Sequence, residues 1–254
     1  MMPTVAPIAF LGGMVAGSFI SVVAHRVPRG LSIVAPRSRC PSCKTQIGAL
    51  DNIPVVSWLL LRGRCRECGA RIPALYPIVE LGLGAAFLLT VAVLWDQPAQ
   101  LVLGLVFVAT LAAITLTDLE RRVIPNRILL VSALLGVAIA AVADTSSLPE
   151  RAIWACAAGG LLLVTALVYP SGMGMGDVKL AALMGLYLGS AVAPALLVGF
   201  LSGALVGLVM IAREGSGARK KGIPFGPFLA LGGLVGLLAG DQMIDWYLST
   251  FLNR

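Results

Sequence analysis

Apolar residues fall in long runs of membrane-spanning length, and the charged residues are parcelled into the links between them. Eight runs can be read, at about residues 5–25, 77–95, 98–117, 125–143, 152–170, 177–189, 190–211 and 226–245. A helix crossing hydrocarbon needs about 20 predominantly apolar residues, and fewer where it is bent or buried in protein. The pattern predicts an all-α polytopic membrane protein with about eight transmembrane helices. The sixth run is short, and its junction with the seventh at Gly189-Ser190 leaves the count open there. The first run has no basic residue before it and a basic flank after it, which predicts a retained first transmembrane helix over 1–25 rather than a cleaved signal peptide.

Composition points to the same solvent. Apolar residues make up 58% of the chain and charged residues 12%, with a mean hydropathy of +0.94. A soluble domain carries roughly one-quarter charged residues. Of 19 Lys and Arg, 17 lie in the segment 26–71, at Arg121, Arg122 and Arg127, at Lys179, and in the link 213–221. With eight spans all of these fall on one side, which the positive-inside rule makes cytoplasmic. The net charge of +7 is then a matter of topology, and it predicts contact with membrane lipid but no nucleic-acid partner. After Gly215-Ser216-Gly217, the cluster Arg219, Lys220 and Lys221 reads as a topogenic flank, with a lipid-head or substrate contact as the alternative.

The sizeable extramembrane segment, 26–74, holds Cys40-Pro41-Ser42-Cys43 and Cys65-Arg66-Glu67-Cys68. Two CxxC pairs at this separation have the spacing of a four-thiolate zinc site. Four soft ligands leave no open position for catalysis, so Zn2+ held by Cys40, Cys43, Cys65 and Cys68 would be structural. Some fifty residues with few large apolar side chains cannot build much of a core, and metal binding would supply folding free energy. Disulfides are the alternative, disfavoured by a reducing cytoplasmic location. Cys156, within an apolar run, is expected to be a small packed hydrophobe.

Two aspartates stand out. Asp118 closes the run 101–117, and Asp177 opens another after Gly174-Met175-Gly176. Carboxylates in or near hydrocarbon are costly and mark chemistry or transport. The helix bearing Asp118 should stop near the carboxylate and restart at or after Pro125. Glycines around Asp177 permit unusual backbone angles and the approach of an extended peptide. Two carboxylates within reach share a proton: one form activates water while the other polarises a peptide carbonyl. Equal membrane depth permits such a pair across 58 intervening residues without requiring it. Solvated helix-terminal charges, or a proton or cation relay in a transporter, remain open on these residues alone.

An ordered set of motifs resembles the bacterial type IV prepilin leader peptidase and N-methyltransferase family, whose catalytic signature is GxGD. The matching residues are Gly17-Ser18-Phe19, Arg26, Pro28, the two CxxC pairs, Asn52-Ile53-Pro54-Val55, Ser57-Trp58-Leu59 and Tyr76-Pro77-Ile78-Val79-Glu80. Asp118 with Ile124-Pro125-Asn126, Gly174-Met175-Gly176-Asp177-Val178-Lys179-Leu180 and Pro224-Phe225-Gly226-Pro227-Phe228 complete it. Ile20-Ser21 and Leu75 depart from the family's usual residues, all beside the loop rather than the aspartates.

The resemblance implies cleavage of the basic leader from type IV prepilins or pseudopilins at the cytoplasmic face of the bacterial inner membrane. Methylation of the new N-terminus with S-adenosylmethionine would follow. It implies Asp118 and Asp177 as the catalytic pair, supported by Gly174, Gly176, Lys179, Pro125 and Asn126, and a division into a first helix 1–25, a zinc loop 26–74 and a peptidase core 75–254. Glu80, Trp58 and Asn52 become candidates for methyl transfer or leader recognition. A peptidase without methyl transfer is the nearest alternative.

Overall fold

The computed structural model describes residues 2–170, 172–214 and 223–252. Within them the chain is all-α: the β-pairing consists of two isolated antiparallel bridges, Arg39 with Gln46 and Arg64 with Arg71. Seven stretches are long and apolar enough to cross a membrane, and the sixth of them, Met175–Glu214, is a 40-residue run. The chain divides into two compact units, Met1–Trp95 and Asp96–Arg254.

The N-terminal unit has two long helices, α1 (Met2–Arg26) and α3 (Leu75–Leu94), with the five-residue α2 (Val56–Leu60) in the loop between them. Gly13 lies against Gly84 and Gly17 against Glu80, so α1 and α3 run antiparallel. The approach at Gly17 is closer than any side chain allows, because a Cβ there would sit 2.8 Å from Glu80 Cα. Helices in lipid gain from such small-residue contacts, since van der Waals packing rather than water exclusion holds them together.

The C-terminal unit comprises α4 (Pro98–Arg121), α5 (Asn126–Ala143), α6 (Leu148–Val168), α7 (Met175–Leu188), α8 (Val192–Glu214) and α9 (Gly226–Tyr247). Phe107, Ile114, Leu162, Leu180, Met184 and Leu229 form its fully buried centre, with Phe107 stacked on Tyr187 at 5.0 Å. Polar groups inside are paired. Thr110 and Ser132 hydroxyls meet at 2.9 Å, and Tyr187 Oη donates to the Ser132 carbonyl at 2.7 Å. Buried Arg151 donates to the carbonyls of Leu186 and Tyr187 and so caps the C-terminus of α7, the end of a helix that favours a cation. Leu130, Val131, Leu134, Leu161, Val164, Leu167 and Val168 face outward, as expected where lipid is the solvent.

The apolar runs predict these helices closely, and the open junction falls where the chain breaks. Gly189, at φ 58°, ends α7, and one 3₁₀ turn over Gly189–Ala191 leads into α8. With 14 residues α7 is about 21 Å long, short of a hydrocarbon core of about 30 Å. Hence the 40-residue run is one stretch by hydropathy and two helices by hydrogen bonding. Cys156, expected to be packed, is instead exposed on α6, where a lipid-facing position suits a small apolar side chain as well as a core does. The flank Gly215-Ser216-Gly217 with Arg219, Lys220 and Lys221 lies outside the described residues.

Candidate active site

Asp118 lies in the last turn of α4, which stops near the carboxylate as the sequence pattern predicts. The helix runs on to Arg121 and stops where Arg122 takes a left-handed φ of 55° and donates its N–H to the Asp118 carbonyl at 2.8 Å. Pro125, extended and buried, then serves as the N-cap of α5. The Asp118 carboxylate is 6% exposed, and its Oδ2 accepts the N–H of Gly226, first residue of α9, at 2.8 Å. A Cβ at position 226 would lie 2.7 Å from that oxygen, so only glycine brings its amide so close.

Asp177 occupies the first turn of α7 and is 9% exposed. Its Oδ2 accepts the N–H of Gly174, the N-cap residue, at 3.1 Å, the reach-back of a third-position acid toward an orphan helix amide. Each aspartate is thus held by a backbone amide at the start of a helix, where partial positive charge favours a carboxylate. Among the described residues the second oxygen of each takes no hydrogen bond from the protein.

The two segments interlock. Gly176 abuts Ile124, with a hypothetical Cβ only 2.9 Å from Ile124 Cβ, and Lys179 Nζ donates to Asn126 Oδ1 at 2.9 Å. The charge of Asp118 acts on Asp177, and that of Arg122 acts on Asp118. Asp118, Asp177, Gly174, Gly176, Lys179, Pro125 and Asn126 therefore come together in one unit. Gly176, expected to offer open backbone to a peptide, is instead helical and used for packing; Gly174 keeps the extended conformation. Gly226 was not among the expected site residues. Its motif was visible, but no linear pattern shows an amide aimed at a carboxylate 108 residues away.

In the N-terminal unit the sulfurs of Cys40, Cys43, Cys65 and Cys68 all lie within 4.8 Å of one another. Cys40 and Cys68 Sγ are 3.8 Å apart, close to the edge of about 3.8 Å that tetrahedral Zn–S bonds of 2.3 Å require. The five cysteines are free thiols, so this cluster can hold a metal ion. The backbone amides of Cys43 and Ser42 pull the Cys40 thiol down to about 6. At Cys68 the amide of Ala70 pulls the same way, but burial and proton sharing with the other thiols push it up to about 11. Such crowding of sulfurs is what a divalent cation relieves.

The two halves of the cluster repeat one geometry at an offset of 25 residues. Bridge Arg39–Gln46 matches Arg64–Arg71, Cys40 N–H to the Thr45 carbonyl matches Cys65 N–H to the Ala70 carbonyl, and Lys44 matches Gly69 at φ 62° and 68°. No repeat is evident in the sequence, because the matched positions share little beyond arginine and cysteine. Arg66 clasps Asp51 through two bonds of 2.9 and 2.6 Å, and holds its carboxyl below the usual range.

Asn52, Trp58 and Glu80 line one cavity of about 700 Å³ within this unit, together with Ser18, Ser21 and His25. Trp58 is fixed in the loop, its Nε1 donating to the Ile72 carbonyl at 3.1 Å and its ring against Gly63. Glu80 is 7% exposed and accepts the Val55 N–H at 2.7 Å, with Ser18 also on the cavity wall.

Comparison with known proteins follows the same division. The family described as Bacterial Peptidase A24 N-terminal domain matches residues 11–94, inside the first unit. Type IV leader peptidase family matches residues 105–211, inside the second, and includes both aspartates. A Prepilin leader peptidase/N-methyltransferase of Aeromonas hydrophila is 37% identical over 96% of this chain and 94% of its own length. Proteins of the same name from Bacillus subtilis and Pseudomonas aeruginosa are each 33% identical, covering 97% and 95% of this chain and 99% and 94% of their own lengths. No solved structure matches significantly. The chain, matched end to end by these relatives and carrying both of the family's parts, belongs to the type IV leader peptidase family.

Proposed function

We propose that this protein cleaves the basic leader from type IV prepilins or pseudopilins and then N-methylates the new N-terminal residue. The observation that carries the peptidase reading is the pair Asp118 and Asp177: buried, in one unit, and each held by one backbone amide. Two like carboxylates in one site share a proton. The ionised one takes a proton from water as the oxygen attacks the scissile carbonyl, and the protonated one donates to the carbonyl oxygen. Collapse of the tetrahedral species breaks the C–N bond, with the proton passing to the leaving amine. Gly226 and Gly174 fix the rotamers of the two acids, while Lys179, Asn126, Pro125 and Gly176 hold the segments that carry them.

The positive-inside distribution supports a cytoplasmic face of the bacterial inner membrane for this site and for the loop 26–74. We read the loop as a structural Zn2+ module between a first transmembrane helix, 1–25, and a peptidase core, 75–254. The cavity lined by Asn52, Trp58 and Glu80 suits S-adenosylmethionine in size and chemistry. Its volume is in the usual range for a cofactor site, and Arg39 and Arg71 on its wall suit a carboxylate. When bound, S-adenosylmethionine would supply the methyl group.

The test is cleavage of a peptide with a basic leader and an apolar tail by wild type, Asp118→Asn and Asp177→Asn, read by product mass. Cleavage by wild type alone, with a further gain of about 14 Da when S-adenosylmethionine is present, is expected. Normal cleavage by either variant would remove the dyad.

A further inference from the structure

Glu80 differs from Asp51, the acid of its unit that Arg66 clasps, in forming no ion pair among the described residues. Among the described residues it accepts the Val55 N–H, at 2.7 Å, has Ser18 nearby, and forms an ion pair with no Lys or Arg. A buried carboxylate is costly unless neutralised by a cation or a proton. Here the place for a cation is the cavity itself, since Glu80 is part of its wall.

The amide that Glu80 accepts has an unusual setting. Val55 stands at φ 61° and ψ −50°, a γ-turn of positive φ closed by Val56 N–H to the Pro54 carbonyl at 2.5 Å. This turn is rare and strained, more so for a β-branched residue, and strained backbone persists where surrounding contacts hold it. Glu80 supplies such a contact. The neighbouring residues Asn52 and Trp58 line the same cavity.

We propose that Glu80 is the receptor and proton acceptor for the free α-amine of the cleaved polypeptide, and that the amine displaces the Val55 N–H, letting the strained turn open as substrate binds. The inference rests on the methyltransferase reading and names the residue that reading lacks. The cleaved chain arrives as an ammonium ion, which cannot attack a methyl group. Glu80 takes one proton, leaving a neutral amine and a carboxylic acid. The nitrogen lone pair then forms the N–CH3 bond as the C–S bond of the sulfonium breaks, giving a thioether and a methylated ammonium.

The experiment uses the full chain in nanodiscs and a short apolar peptide with a free N-terminal amine, beside the same peptide N-acetylated. Binding is read by calorimetry, and opening of the turn by amide hydrogen exchange over residues 53–58. The free amine should bind wild type at least about tenfold more tightly than the acetylated peptide and should speed exchange at Val55. Glu80→Gln, which keeps an acceptor for Val55 but no charge, should abolish that preference. Val55→Gly, which relaxes the closed turn, should weaken amine binding several-fold. Equal binding of both peptides, an unchanged preference in Glu80→Gln, or unchanged protection of Val55 would each overturn the proposal. Wild type that binds the amine through Glu80 yet transfers no methyl group would instead sink the methyltransferase reading, so the two failures are distinguishable.

Discussion

Asp118, Asp177 and Glu80 are all buried carboxylates that accept a backbone N–H, yet their surroundings differ. The two aspartates sit at helix ends whose regular geometry supplies the amides, and the charge of one acts on the other. Glu80 stands apart from other charges, and its amide belongs to a strained turn in a loop. A rigid pair of like charges suits a shared proton and a reaction needing an acid and a base at once. A lone carboxylate against a yielding turn suits a cation that comes and goes. The difference teaches that burial of an acid is only half of a functional argument, and the compliance of what it touches is the other half.

The comparison breaks most sharply at the aspartates. Asp118→Asn or Asp177→Asn should lower cleavage by about 10³-fold or more, because the loss removes both the general base and the shared proton. Methyl transfer to a pre-cleaved peptide should survive, as that chemistry is assigned to the other unit. Parallel loss of both activities in a folded variant would mean that the two units do not divide the work.

Metal removal comes next and acts on the loop. Cys43→Ser, or a strong chelator, should strip the ion from the four thiolates, expose residues 26–74 to protease and reduce methyl transfer by more than about tenfold. Zinc content and limited proteolysis measure this. Because the knuckles at 39–46 and 64–71 share one geometry, Cys68→Ser should do the same harm as Cys43→Ser. A variant that keeps full metal content and a protected loop would sink the four-thiolate assignment.

A finer probe is Gly226→Ala. The added Cβ would meet Asp118 Oδ2 at 2.7 Å, so the carboxylate must shift or lose its amide. Displacements of about 1 Å at a reacting group can cost about 100-fold, and kcat for cleavage should fall by about 10- to 100-fold with KM little changed. An equal rise in KM would point to substrate binding rather than to the placing of the acid.

How far the sequence foretold this depends on the range of the contact. The helices were legible because hydropathy is written residue by residue, and the break at Gly189 showed because glycine marks it. Asp118 and Asp177 were legible as misplaced charges, and Cys40, Cys43, Cys65 and Cys68 by spacing. The Gly226 amide, the Lys179–Asn126 bond and the Val55–Glu80 contact were not, since each joins groups far apart in the chain, a relation that residue types alone do not encode. Val55 even misleads: a β-branched residue is the last one expected at positive φ.

The smallest expected effect tests the join between the two knuckles. Asp51 leads out of the first and Arg66 lies in the second, and their two hydrogen bonds span them on the surface. Arg66 lowers the Asp51 carboxyl below its ordinary value, so the folded loop favours the ionised form. A depressed carboxylate contributes stability that is fully present above its unfolded pKa of about 4 and is lost as pH falls through the lower folded value. Between about pH 5 and 8 the contribution is therefore constant, and an exposed pair contributes little. Asp51→Asn should lower the loop's resistance to protease slightly and by the same amount across that range. Thiolates must be deprotonated to hold metal, so any stability change within that range belongs to the cysteines. A deficit in Asp51→Asn that itself varied between pH 5 and 8 would show Asp51 coupled to the thiolate cluster, and would join two features that the geometry keeps as separate ties.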